Sequence, residues 1–100
     1  METTQDKFTS ADGKLFIDGH EVLRGWESFT GWYWFATEKV QEQFSLIDGK
    51  SVPDTIYFGY VQGFEEEWGD FSLAELESLM PSGRVWEIPA ENLPFSGRRS

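Results

Sequence analysis

The chain of 100 residues contains no cysteine, which removes disulfides, thiolate zinc sites and cysteine nucleophiles together. That absence agrees with a reducing, cytoplasmic setting. Histidine is nearly absent too. His20 stands alone beside a turn, and no serine occupies a nucleophile-elbow context that would complete a triad. No apolar run approaches the roughly 18 residues of a membrane span. The opening METTQDK lacks the apolar core of a signal segment, so the expectation is a soluble chain with no membrane partner.

Basic residues are the next shortage. Eight Lys and Arg face eighteen Asp and Glu, a formal net charge of −10. No Lys or Arg occurs between Lys50 and Arg84, a span holding Asp54, Glu65, Glu66, Glu67, Asp70, Glu75 and Glu77. Phosphate backbones and anionic lipid repel such a chain, so no direct nucleic-acid binding is expected. Its field draws basic protein surfaces or cations instead; the plainer role of the acids is solubility. Gly59, Gly63 and Gly69 lack phosphate-loop spacing and lie among acids.

Aromatic residues are abundant: five Trp and nine Phe contribute to an aromatic fraction of 17%. Rings that each bury about 150–250 Å² can build a core in one small domain. The aromatic content also separates this chain from a disordered acidic tail.

The organisation centres on residues 54–80. Thr55–Val61 reads as a strand, with Ile56, Phe58 and Tyr60 opposite Tyr57, Gly59 and Val61. Gly59 inside it implies close approach of a neighbouring ring or backbone. An acidic loop follows. A short helix over about 72–80 opens on the capping box Ser72-x-x-Glu75, with Phe71 and Leu76 as its staple. Leu73, Leu76, Leu79 and Met80 form its apolar stripe, ended by Pro81 and Gly83.

Upstream, Asp18-Gly19 between Leu15–Ile17 and His20–Leu23 is a type I′ hairpin signal. Arg24–Gly31 reads as a loop folding Trp26 and Phe29 onto the core. Residues 32–40 read as a central strand, with Trp32, Trp34 and Ala36 on one face and Tyr33, Phe35 and Thr37 on the other. Asp48-Gly49 marks a second turn, and Arg84–Ile88 a last strand. The expected fold is α+β: a mainly antiparallel sheet of four or five strands with one short helix packed on it. Residues 1–11 are expected to be a flexible arm, 12–90 a single domain and 91–100 a partly ordered tail.

The pattern Trp34, Thr37-Glu38, Tyr57-Phe58-Gly59, Val61, Gly63-Phe64-Glu65, Glu67, Gly69, Phe71-Ser72-Leu73 and Glu75-Leu76 resembles a family of small proteins catalogued only as a domain of unknown function. The likeness covers about residues 32–80. It implies genes carried on plasmids, phage-derived and other mobile elements. In that family an aromatic residue commonly precedes Phe-Ser-Leu, where Asp70 stands here. The family carries no assigned activity, so the resemblance implies no catalytic residue.

Phe64, Glu65, Glu66, Glu67, Trp68 and Asp70 form the candidate partner-binding site. Clustered carboxylates can hold Ca²⁺ or Mg²⁺, but the spacing lacks the alternate acids of a calcium loop, and adjacent Glu side chains diverge. Trp32, Trp34 and Trp68 could line a sugar site, yet the paired carboxylates of a glycosidase need a cleft that so thin a core rarely builds. No catalytic residue and no cofactor are expected. The leading expectation is a non-catalytic interaction module binding a basic protein surface. The alternatives are an acidic nucleic-acid mimic occupying the basic channel of a host protein, and a small metal-dependent domain using Glu65–Asp70.

Overall fold

The structure, a computed structural model, describes residues 7–93. Two antiparallel sheets and one short α-helix are stacked, giving the α+β fold expected from the sequence. Strands β1 (Phe8–Ala11), β2 (Lys14–Ile17) and β3 (His20–Glu21) form a three-stranded meander. Strands β4 (Arg24–Ser28), β5 (Tyr33–Ile47), β6 (Lys50–Gln62), β7 (Glu66–Ser72) and β8 (Val85–Ile88) form a five-stranded sheet ordered β7-β6-β5-β4-β8. Helix α1 (Leu73–Leu79) lies between β7 and β8 in sequence.

Turn chemistry sets the hairpins. Asp12-Gly13, Asp18-Gly19 and Asp48-Gly49 all carry two consecutive positive φ angles, 54° and 75°, 51° and 83°, and 52° and 79°. That is the geometry that Asp-Gly tolerates and a β-branched residue does not. The last of these turns joins β5 to β6, whose register runs from Tyr33↔Gln62 to Ile47↔Lys50.

The large sheet is covered on both faces, which explains the two-sided apolar character of β5. One face, under the meander, gathers Leu15, Ile17, Val22, Phe35, Tyr60, Ile88 and Leu93, with Phe8, Tyr33 and Trp68 against them. The other, under α1, gathers Trp26, Ala36, Tyr57, Leu76 and Val85, with Trp34, Phe71 and Leu73. Alternation along β6 sends Tyr60 to the first core and Tyr57 to the second, as period-two geometry requires.

Five stretches depart from these expectations. Phe8–Ala11, assigned to a flexible arm, pairs with β2, and the Phe8 ring meets Phe35 and Tyr60 at 5.7 and 5.9 Å. Arg24–Ser28, assigned to a loop, is an interior strand between β5 and β8. Gly25 is there because a Cβ would sit 2.8 Å from Leu93 Cδ2. Residues 41–54, where the sequence marks only the Asp48-Gly49 turn, extend β5 and β6 into a two-stranded ribbon. The acidic segment, assigned to a loop, is the edge strand β7, paired with β6 from Ile56↔Ser72 to Gln62↔Glu66. Leu93, assigned to the tail, is buried in the first core. Residues 1–6 and 94–100 lie outside the described residues.

The junction of ribbon, sheet and helix is held by Asp54, a buried carboxylate. It accepts from Ser72 Oγ at 2.6 Å, Ser45 Oγ at 2.8 Å and the Ala74 amide at 2.8 Å. Ser72 in turn caps α1, accepting from the Glu75 amide at 3.1 Å. Seven helical residues cannot hold a helix in isolation, so this cap and the packing of Leu76 maintain it.

Candidate partner-binding surface

Strand pairing decides where each acidic residue points. Within β7, Glu66, Trp68 and Asp70 alternate with Glu67, Gly69 and Phe71. Trp68 packs in the meander-side core and Phe71 in the helix-side core, which fixes the two sets. The candidate residues therefore do not form one cluster. They divide between opposite faces of the sheet edge.

On the meander side, Glu66 accepts from Tyr60 Oη at 2.6 Å and from Gln62 Nε2 at 3.3 Å. The Tyr60 hydroxyl, followed by Gln62, holds the Glu66 carboxyl below its ordinary pKa. Burial, and then the Glu66 bond, push the Tyr60 phenol well above its usual value. Trp68 is half-buried, stacked on Phe58 at 5.8 Å and 18°, with Tyr60 at 5.3 Å and the His20 ring edge at 5.4 Å. Glu66 and Trp68 thus support the structure, and His20 is an exposed residue flanking a turn. Asp70 is exposed, across from Phe58.

On the helix side a different arrangement appears. The β6–β7 turn, closed by Gly63 N–H to Glu65 C=O at 3.0 Å, lifts Phe64 to its tip. Phe64 is 94% exposed, yet its ring meets Trp32 edge-on at 5.4 Å. Trp32 lies 5.9 Å from Trp34, tilted by 30°. The rings Phe64, Trp32 and Trp34 form a continuous surface step, beside which Glu65 and Glu67 are exposed. Glu65, Glu67 and Asp70 enter no ion pair among the described residues.

Sequence reasoning placed Trp32 and Trp34 on one face of a central strand and so missed them as neighbours of Phe64. A usable signal was Gly63: a Cβ there would fall 2.4 Å from the Trp32 ring, so the glycine is the seat of that ring. Gly63→Ala is expected to swing half-exposed Trp32 off the step while lowering stability by less than about 1.5 kcal/mol. The check is loss of the Trp32–Trp34 exciton couplet in circular dichroism alongside a nearly unchanged melt.

Elsewhere the surface offers little chemistry. A groove of about 370 Å³ between ribbon and helix is lined by Phe44, Pro53, Leu73 and Ala74, with Glu42 and Glu77 also present. Asp54 in its wall has its oxygens engaged, as described above. Among the described residues no three His, Asp or Glu side chains converge as metal ligands, and no helix is long and apolar enough to cross a membrane. The chain matches no family model, and searches of curated proteins and of solved structures find no match, so the reading of this surface rests on its own chemistry.

Proposed function

We propose that this chain is a non-catalytic protein-interaction module that docks a basic partner surface through Phe64, Trp32 and Trp34, with Glu65 and Glu67 as the charged rim. The observation that carries the reading is Phe64, a large ring held at a turn tip by Trp32 while 94% exposed. Such a ring adds almost nothing to the core, whereas aromatic anchors ringed by polar groups are the usual energetic centres of interfaces. An Arg or Lys from the partner would gain both a ring face and a neighbouring carboxylate.

The distribution of acids favours docking over nucleic-acid mimicry. Glu66 is bonded to Tyr60, Glu87 to Arg24 and Glu27 to Tyr33, and Asp70 lies on the opposite face from Glu67. A phosphate mimic needs its charges free and along one face. In a host carrying a mobile element, the setting that the resemblance implies, the partner would be a basic host protein.

The test is capture from host lysate by the tagged chain at low and high salt. A specific basic protein should be retained at low salt and released at high salt. Phe64→Ala should weaken its binding at least about tenfold. Glu65→Lys with Glu67→Lys should abolish it, and both variants should melt like the parent. Undiminished capture by both variants would remove this surface from consideration.

A further inference from the structure

We infer that the open edge of β7 takes up an extended basic segment as a sixth strand of the large sheet. The inference rests on the docking reading above and adds the form of the partner. The sheet order ends at β7 on one side and β8 on the other. Strand β8 has four residues and runs directly into Pro89, whereas β7 has seven and pairs with β6 without a register shift. In an edge strand, alternate N–H and C=O groups point away from the sheet. None of those from Glu66 to Asp70 is used by another part of the chain among the described residues.

Natural edges are guarded by proline, bulges, lysine or a covering element. Strand β7 has no proline, lysine or bulge, and its only guard is negative charge. A second copy of this chain is a poor occupant: paired along its full length about Gly69, β7 would set Glu66 diagonal to the other copy's Asp70 with no cation on either strand. A basic strand is complementary. Side chains of an added strand would stand about 4.5–5.5 Å from those of β7. One face would then require cations opposite Glu66 and Asp70 with an apolar residue between them, opposite Trp68. The other would require a cation opposite Glu67 and admit a ring opposite Gly69, where nothing lies within 4 Å of a Cβ. The pattern is specific: basic, apolar, basic at every second position, with an aromatic residue in the alternate set.

The experiment uses the full chain, isotope-labelled, and the synthetic peptide Thr-Val-Arg-Phe-Val-Lys-Arg, capped at both ends. The expected result is at least about tenfold slower hydrogen exchange at alternate amides of Glu66–Ser72. This protection should vanish when the peptide is N-methylated at alternate residues or carries Glu in place of its cations. Binding with shifts at Trp32 and Phe64 but unchanged β7 exchange would overturn the edge inference and leave the docking reading intact. No binding at low salt would also overturn it, showing that the acids only guard the edge. Failure of the docking reading registers separately, as lysate capture that Phe64→Ala leaves unchanged.

Discussion

Gly59→Ala is expected to cost more than about 3 kcal/mol and to abolish a cooperative melt. A Cβ at this position would lie 1.8 Å from the carbonyl oxygen of Phe35 and 3.0 Å from the Cα of Ala36. Those are backbone atoms of the central strand, so no rotamer change relieves the clash. Relief requires β5 and β6 to separate where both cores meet, between Phe35 and Tyr60 on one face and Ala36 and Tyr57 on the other. The neighbouring pair residue, Gly69, supplies the control. A Cβ there meets nothing within 4 Å, so Gly69→Ala should stay within about 1 kcal/mol of the parent. Equal melting of the two variants would show that β5 and β6 are less tightly apposed than described.

Asp54→Ala is the second large effect, expected at about 3 kcal/mol. The substitution leaves the hydroxyls of Ser45 and Ser72 and the amide of Ala74 without their shared acceptor. It also detaches the start of α1 from the ribbon. The pH dependence has a definite sign. Burial pushes the Asp54 carboxyl up, but bonds from Ser72, Ala74, Ser45 and the Thr55 amide together outweigh it and hold the group below its ordinary value. A folded pKa below the unfolded one, about 3.9, stabilises fully above that value and is lost as pH falls through the folded pKa. The melting temperature of the parent should therefore drop as pH falls below about 4. Asp54→Asn should be less stable at neutral pH and show a shallower drop. Parallel curves for the two proteins would refute this role.

These two residues show how far the sequence could be read. Gly59 was legible because a glycine inside an otherwise apolar, β-branched and aromatic strand has few uses other than close approach. The Ser72 cap and the Asp18-Gly19 and Asp48-Gly49 turns were legible for the same reason: each is a local rule satisfied within a few residues. Asp54 was not. Its three distant partners lie 9, 18 and 20 residues away and meet only when ribbon, β7 and helix converge.

Strands β4 and β7 escaped for a related reason. RGWES and EEWGDFS carry polar residues because one strand places Arg24 and Glu27 in side-chain bonds and the other is an edge exposing carboxylates. Neither shows the clean alternation by which a strand announces itself. Asp12-Gly13 is as good a turn as the other two. Its flanking Thr9, Ser10 and Ala11 are exposed and offer no apolar signal that would mark a strand before it. The candidate site was half legible. Its charge and Phe64 were visible in the sequence, but not the split between two faces, since that depends on whether the acids form a loop or a strand.

The pairing of β4 with β8 has a consequence for how the chain acquires its structure. Most partners in this fold are sequence neighbours joined by tight turns, and hairpins of that kind close within about 1–10 μs. Gly25↔Ile88 is different, spanning most of the chain. Val85 completes one core and Ile88 the other. During synthesis both cores lack a member until β8 has emerged, so the ring-rich faces of β5 and β6 are incompletely covered during elongation. Acids outnumber bases on the emerging chain throughout that interval, opposing association between nascent copies through those faces.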